Sequence, residues 1–298
     1  MATSATTEAA STLQIDLTTV LSLLGTLAVL ATAYALSLRL LPRSSTAKAR
    51  VLFVWHLFDA LIHFVFEGSF LWNCFRVHWL PPPPAVVAHA PLSPYAIASS
   101  SAAAAAAGIA ATTPSLATTP APGPTSFLIL TPPDVYFLGR NDTLFGAAYG
   151  TGPFSRLWQE YAKADRRWGG ADLTVVSIEL LTVFVAGPMA LWCAENVRRG
   201  EWYAGRQGME GRKWFWMIVL ATGELYGGFM TFAPEWLSGS PNLDTSNFMF
   251  KWVYLFFFNT LWVWLPLWIM YEAYKGITSS LSQKEVVNVI SYLEKKAD

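Results

Sequence analysis

The sequence places acidic residues inside stretches that are otherwise apolar enough to cross a membrane. Asp59 and Glu67 lie in one such stretch, Glu179 in a second and Glu224 in a third. A charged side chain at the centre of a bilayer costs at least about 2.5 kcal/mol, so residues of this kind usually face a cavity, a partner or a reaction. We therefore expect chemistry inside the membrane.

Helical geometry places several ionisable side chains on one face of the second apolar stretch. His56, Asp59, His63 and Glu67 recur at intervals of three and four residues, which aligns them along one side of a helix. Such a polar stripe is expected to face the interior of a helix bundle. We predict that His63 lies near the midplane, and that His56 and Asp59 lie nearer the cytoplasm, paired with each other or with water.

Two carboxyl groups, an imidazole and aromatic walls around one cavity favour a particular reaction. Burial brings the proton affinities of carboxyl and imidazole groups closer together, so protons pass between them near neutral pH. Indole faces stabilise a passing cation. The combination predicts proton addition to an alkene and proton loss from a neighbouring carbon, through a carbocation in a pocket that excludes water.

Two further polar positions remain open to more than one interpretation. Glu224 lies among Gly223, Gly227 and Gly228, where close helix packing makes an interhelical hydrogen bond as good an interpretation as catalysis. Trp262 is one helical turn from an asparagine in the last apolar stretch, which favours a place in a pocket wall.

The composition is that of a membrane protein. Of the 298 residues, 53% are hydrophobic and 13% are charged, against roughly 25% charged residues in soluble domains. We predict an all-α integral membrane protein, a bundle of five transmembrane helices with an internal ligand cavity. The net charge is zero and the basic residues are scattered, so the sequence shows no basic patch of the kind that binds nucleic acid. The predicted helices cover residues 17–41, 51–75, 173–193, 214–232 and 248–271.

The chain divides into five parts along its length. The stretch 81–135 is rich in Pro, Ala, Ser and Thr, and has too little apolar surface to offset the entropy of ordering, so we expect a disordered lumenal insertion. The other parts are a lumenal tail at 1–16, two helices within 17–80, three helices with their loops within 136–275, and a cytoplasmic tail at 276–298.

Basic residues predict the orientation and the compartment. They follow the first, third and fifth apolar stretches in short connections, which places the N-terminus in the lumen and the C-terminus in the cytoplasm. Lys295 and Lys296 then have the form of a cytosolic signal for retrieval to the endoplasmic reticulum. Asn141 begins a glycosylation sequon on the side assigned to the lumen.

The remaining chemistry-bearing residues predict neither a disulfide nor a cofactor. Cys74 and Cys193 are placed near opposite membrane surfaces, too far apart for a disulfide, so we expect free thiols. The sequence contains no metal-binding or nucleotide-binding motif, and we predict no metal site and no cofactor.

Four segments, in order along the chain, resemble the emopamil-binding protein family of the EXPERA-domain group. These are residues 63–68, 157–165, 178–188 and 258–262, and the resemblance extends over 50–275 as a whole. It implies a five-helix bundle of the endoplasmic reticulum membrane, often a homodimer, that encloses a sterol cavity and acts in sterol biosynthesis.

The resemblance also implies an activity and a set of site residues. The activity is a cofactor-free isomerisation that moves a sterol double bond from Δ8 to Δ7, by protonation at C9 and loss of a proton from C7. The implied ligands are sterols or other polycyclic lipids, and amines that mimic the carbocation. The implied catalytic residues are His63, Glu67 and Glu179, and the implied substrate-binding residues are Thr182, Asn259, Trp262, Tyr161, Tyr226 and Glu224.

Three departures from the family pattern keep other functions open. The insertion at 81–135 is long, Glu224 and Gly228 stand where the family more usually has an amide and an acid, and Trp168 replaces a usual tyrosine. The alternatives are an isomerase or cyclase of another polycyclic or isoprenoid substrate, and a non-catalytic sterol-binding or amine-binding protein. A transporter ranks last, because the sequence shows no internal inverted repeat.

Overall fold

The computed structural model describes residues 15–81, 135–202 and 209–297. The elements described all belong to one unit, Met1–Trp79 together with Phe127–Asp298. Most of the predicted insertion, residues 82–134, lies outside the described residues. The helices are α1 Leu17–Leu40, α2 Ala47–Leu61, α3 Gly68–Arg76, α4 Pro153–Tyr161, α5 Leu173–Leu181, α6 Gly187–Trp202, α7 Met209–Leu237 and α8 Asn259–Ala297.

Five stretches of helix in the described residues are long and apolar enough to cross a membrane, which confirms the predicted fold class. We call them spans 1 to 5 in chain order. The strands β1 His78–Trp79 and β2 Leu144–Phe145 form one short antiparallel pair beside this bundle. The spans are Leu17–Leu40, Ala47–Arg76, Leu173–Glu201, Gly211–Leu237 and Met249–Ser279.

Several spans extend beyond their predicted ends. Span 2 begins at Ala47 rather than 51, and span 3 continues to Glu201 rather than 193. The helix of span 5 runs on to Ala297, through the predicted cytoplasmic tail. Apolar content indicates where a helix meets lipid, whereas the helix itself continues as long as its backbone hydrogen bonds do. Cys74 and Cys193 are buried free thiols, as predicted.

Side chains cap the helices at the ends where the backbone N–H groups have no partner. Asp16 accepts from the backbone N–H of Thr19 at 2.8 Å at the start of α1. Thr46 accepts from Ala49 at 3.1 Å in front of α2. Asp172 accepts from Val175 at 2.9 Å in front of α5. Caps of this kind satisfy orphan donors and fix the first turn of each helix.

Three spans contain a segment of wider π-helix, which lies inside spans 2 and 3 and at the start of span 5. These segments are Ile62–Glu67 in span 2, Thr182–Ala186 in span 3 and Met249–Phe258 in span 5. A π-helical turn inserts extra backbone, changes the face on which the following residues lie, and is frequent at functional sites. Each segment contains or adjoins polar residues that the sequence predicts to line a cavity.

The apolar core is divided into two clusters along the bundle. Along span 2 the first cluster ends at Ile62, and the second begins at Phe70. His63 and Glu67 fall in the interval between them. His63 and Glu67 are therefore bounded by packed apolar side chains at both ends of this interval.

A buried ion cluster fixes the loop that precedes span 3. Arg167 donates two hydrogen bonds to the Asp165 carboxyl group, at 2.9 and 2.6 Å, and one to the backbone oxygen of Thr231 at 2.7 Å. Its Nε also lies 3.7 Å from Glu235. Burial raises the pKa of Asp165, although the guanidinium group of Arg167 opposes the shift. The cluster joins this loop to the end of span 4.

Replacing Arg167 is expected to destabilise the fold strongly. The substitution Arg167→Met leaves Asp165 buried without its cation, which costs about 3–5 kcal/mol. Reversible unfolding in mixed micelles measures the change in free energy. The control is Arg140→Met, since Arg140 pairs with Asp142 at the surface and should have almost no effect. Equal effects of the two substitutions would contradict the assignment.

Candidate functional site in the membrane bundle

A cavity of about 870 Å³ lies within the bundle and is lined by residues of all five spans and of α4. Its volume falls in the range of roughly 300–1,000 Å³ that ligand pockets occupy. Most of the lining side chains are apolar, and a few polar groups project among them. Among them are His63, Glu67, Glu160, Tyr161, Glu179, Thr182, Glu224, Asn259 and Trp262.

His63 lies between two carboxyl groups of its own helix. Its Nδ1 atom is 2.5 Å from Oε2 of Glu67, and its Nε2 atom is 3.2 Å from Oδ1 of Asp59. The second contact is an ion-pair distance without an aligned hydrogen bond. Because His63 is only 2% exposed, water does not compete for either contact. An imidazole in this position can pass a proton between the two carboxyl groups.

Glu179 joins this group from span 3. The carboxyl groups of Glu67 and Glu179 are within hydrogen-bonding reach of each other. Thr182 donates to Oε2 of Glu179 at 2.7 Å. Since ionised carboxylates only accept hydrogen bonds, a hydrogen bond between the two carboxyl groups requires a proton on one of them. The structure thus brings the three predicted catalytic residues together.

Asn259 lies where the π-helical segment of span 5 ends. Its Nδ2 atom is 2.9 Å from each of three oxygens, the Tyr161 hydroxyl and the backbone oxygens of Tyr254 and Leu255. Burial raises the pKa of Tyr161, so its phenol stays protonated. Asn259 and Tyr161 therefore form one polar wall of the cavity.

Trp262 both lines the cavity and donates a hydrogen bond behind it. Its Nε1–H group donates to Oδ1 of Asp59 at 2.7 Å. Its ring packs 5.6 Å from Trp55 and 6.1 Å from Phe58, measured between ring centroids. The structure places Trp262 in the cavity wall, where it was expected, whereas its hydrogen bond to Asp59 was not predicted from the sequence.

The predicted pairing of His56 with Asp59 is wrong. Asp59 is fully buried and contacts Trp262 and His63 instead of His56. Both ring nitrogens of His56 are without a hydrogen-bond partner among the described residues. The partner that decides the position of Asp59 is an indole 203 residues further along the chain, which helical spacing within span 2 cannot reveal.

Glu224 combines the two interpretations that the sequence left open. It lines the cavity, and its carboxyl group is also within hydrogen-bonding reach of Asp59 on span 2. Gly228 and Trp168, the other residues that depart from the family pattern, line the same cavity. Tyr226 borders it with 66% of its surface exposed. The departures therefore change the lining of the cavity itself.

Glu160 is a cavity residue that the sequence did not single out. One of its oxygens accepts from Thr19 at 2.8 Å and from Tyr254 at 2.9 Å, and Lys163 donates to the other at 2.5 Å. These contacts connect span 1, α4 and span 5. The sequence contains one possible signal for this site. Glu160 is an acidic residue on the short amphipathic helix α4 and lies on the face that the structure buries. Within the residues described, the His, Cys, Asp and Glu side chains form no group of three or more that could hold a metal ion.

Comparisons with known proteins confirm the predicted family resemblance. Residues 153–273 match the model of the EXPERA family, the expanded EBP superfamily. The 3-beta-hydroxysteroid-Delta(8),Delta(7)-isomerases of Cavia porcellus and Mus musculus are each 28% identical, over 44% and 43% of this chain and 54% and 52% of their own. An isomeliandiol synthase of Melia azedarach is 26% identical over 48% of this chain and 57% of its own. The chain thus spans about half the length of these relatives.

A methyl group added at Gly187 should disturb the position of His63. It would lie 3.0 Å from Phe64 Cε1 and 3.2 Å from His63 Cβ. A methyl group at Gly223, which lines the cavity, meets nothing within 4 Å. We expect Gly187→Ala to be less stable than Gly223→Ala by about 1–3 kcal/mol, because overpacking offsets any gain in helix propensity. Unfolding in mixed micelles measures the difference in stability. Equal stabilities of the two variants would show that Phe64 and His63 move aside for the methyl group at low cost.

Proposed function

We propose that this chain, which carries an EXPERA-family domain, is a membrane-embedded isomerase that moves a sterol ring double bond from Δ8 to Δ7. The observation that carries the proposal is the linked set of His63, Glu67 and Glu179 in the wall of a largely apolar cavity. These three side chains are of types that exchange protons, and the volume of the cavity suits a lipid-sized ligand.

The reaction needs one proton donor and one proton acceptor. A carboxyl group gives its proton to C9, and the π electrons of the C8=C9 bond form the new C–H bond, which leaves a cation at C8. The C–H bond at C7 then breaks, its electrons form the C7=C8 bond, and a carboxylate takes the proton. The close approach of the Glu67 and Glu179 carboxyl groups supports this assignment, because a proton shared between them would make one of them the donor and leave the other as the acceptor.

The surrounding residues hold these groups and the cation in place. Thr182 fixes the carboxyl group of Glu179 by its hydrogen bond. The indole face of Trp262 stabilises positive charge, and the apolar lining excludes water that would trap the cation. Asn259, one helical turn from Trp262 in the same wall, and Tyr161, which accepts its hydrogen bond, position the substrate, and Tyr226 contacts it at the rim.

The proposed setting is the endoplasmic reticulum membrane, from which the substrate enters the cavity. The N-terminus is lumenal and the C-terminus cytoplasmic, as the short basic connections and the terminal Lys295-Lys296 pair suggest. Asn141 is exposed in the connection between spans 2 and 3, as glycosylation in the lumen requires. We also propose that the protein forms a homodimer.

A second candidate is an isomerase or cyclase of another polycyclic or isoprenoid substrate. It is favoured by Glu224, Gly228 and Trp168, which depart from the family pattern and all line the cavity. Gly228 leaves open space where the family more usually has an acid. Among the relatives, an isomeliandiol synthase bears a name other than that of a sterol isomerase. A non-catalytic binding protein would not need the linked acid–base set.

Replacing either proposed catalytic carboxyl group by an amide should strongly reduce the rate of turnover. We expect Glu67→Gln and Glu179→Gln to lose about 10²–10⁴-fold in rate, the usual contribution of a general acid or base. The product formed from a Δ8 sterol in purified membranes is measured by mass spectrometry and NMR.

The matched control is Glu195→Gln on span 3, which pairs with Arg198 and Arg199 outside the cavity and should keep full activity. If both cavity variants turn over at the wild-type rate, the catalytic assignment is wrong. A folded wild-type protein that converts other tetracyclic substrates but no Δ8 sterol would support the second candidate.

A sterol-shaped tertiary amine should bind as a mimic of the cation. Its ammonium group gains a charge-assisted hydrogen bond to the Glu67 and Glu179 pair, worth about 1.5–3 kcal/mol, so Glu67→Gln should weaken binding by roughly 10- to 150-fold. The ligand-dependent rise in the thermal midpoint measures this affinity. An analogue with carbon in place of nitrogen serves as control, and equal losses for both ligands would rule out charge recognition.

A further inference from the structure

The wall of the cavity contains a buried carboxylate that the proposed proton transfer does not use. Glu160 on α4 lines the cavity although only 4% of its surface is exposed. One of its oxygens accepts from Thr19 at 2.8 Å and from Tyr254 at 2.9 Å, and Lys163 donates to the other. These contacts hold a charged group in an otherwise largely apolar wall.

The hydrogen bonds of Glu160 leave part of its carboxylate group free. A carboxylate offers about four acceptor positions, and the contacts with Thr19, Tyr254 and Lys163 occupy three of them. Tyr254 also lines the cavity, and the hydroxyl group that donates to Glu160 keeps lone pairs of its own. A ligand group that reaches this part of the wall meets acceptors, so it has to bring a hydrogen to form a bond.

Span 1 adds a further polar side chain to the same part of the wall. Thr19 and Ser22 are one helical turn apart and lie on one face of this span, and Ser22 lines the cavity. The serine hydroxyl can donate to a ligand oxygen as well as accept from a ligand. We call Ser22, Glu160 and Tyr254 the polar corner of the cavity.

The polar corner and the linked acid–base set lie at different levels of the bundle. Thr19, which holds the polar corner, is in the first turn of span 1. On span 5, Tyr254 belongs to the polar corner, whereas Trp262 further along the helix reaches Asp59 beside the acid–base set. From Tyr254 to Trp262 the helix rises by up to about 12 Å, which is comparable with the length of the fused rings of a sterol. One sterol can therefore reach both groups.

We propose that the polar corner binds the 3-hydroxyl group of the sterol while ring B lies against Glu67 and Glu179. The proposal deepens the proposed isomerase function and rests on it. The hydroxyl group donates to the free acceptor position of Glu160 and accepts from Ser22. Because burying a hydroxyl group without a partner is costly, this contact directs ring A toward the start of span 1. The ligand is thus a sterol with a free 3-hydroxyl group rather than its ether or ester.

Three matched ligands test the proposal on the wild-type protein. They are a Δ8 sterol, its 3-deoxy analogue, which lacks the oxygen, and its 3-O-methyl ether, which keeps the oxygen but has no hydrogen to donate. Both analogues should bind about 10- to 150-fold more weakly than the sterol, the effect of losing a hydrogen bond to a charged group. The ligand-dependent rise in the thermal midpoint measures affinity without turnover, and kcat/KM should fall by a similar factor.

Two variants separate this role from the alternative that Glu160 only fastens spans 1 and 5 to α4. The double variant Glu160→Gln with Lys163→Met removes the acceptor and leaves no ammonium group beside an amide. It should bind the sterol and both analogues within about threefold of one another. Ser22→Ala, which leaves the Glu160 contacts intact, should reduce the preference for the sterol over the 3-deoxy analogue by about 2- to 10-fold. Ser282→Ala, on the exposed helix beyond span 5, is the control.

The outcomes are distinct. A wild-type protein that binds all three ligands equally overturns the proposal. A full hydroxyl preference in the folded double variant overturns it as well, and if that variant does not fold, a full preference in Ser22→Ala does so. Loss of the preference in Glu224→Gln alone would place the hydroxyl group at span 4 instead. A wild-type protein that converts no Δ8 sterol contradicts the proposed function, whereas the affinity ratios still decide on the hydroxyl site.

Discussion

The contact between carboxyl groups in apolar surroundings is the constraint on which the site depends. Two ionised carboxylates repel each other in apolar surroundings, so the close approach of Glu67 and Glu179 favours a proton held between them. A pair that holds one proton has a donor and an acceptor in a fixed geometry. His63 lies between this pair and Asp59.

The rest of the bundle surrounds these carboxyl groups with apolar side chains and fixes their positions. The π-helical segments of spans 2, 3 and 5 widen the helices at the depth where polar side chains gather, and packed apolar clusters lie on either side of His63 and Glu67 along span 2. The ion cluster of Asp165 and Arg167 holds the loop that carries Trp168 against the cavity. Rigid surroundings of this kind would preorganise the proposed proton transfer, because the groups need not move far during the reaction.

What the sequence could predict follows from which interactions are local. Apolar runs revealed all five spans, and the spacing of His63 and Glu67 revealed their contact, because both signals lie within one helix. The ends of spans 2 and 5 were missed, since hydropathy marks lipid contact rather than the end of a helix. The partners of Asp59 and Glu160 were missed because Trp262 and Thr19 come from distant parts of the chain.

The amide of Asn259 has more neighbours than it has hydrogens. Two N–H groups face three oxygens at equal distance, and two of these are backbone carbonyls that have no freedom to turn away. The phenol of Tyr161 is the third, and a hydroxyl rotor can redirect its hydrogen at little cost. The Tyr161 hydroxyl, whose own hydrogen bond to the backbone oxygen of Tyr254 is a long 3.5 Å, is thus the adjustable member of this wall, while Asn259 holds the helix backbone.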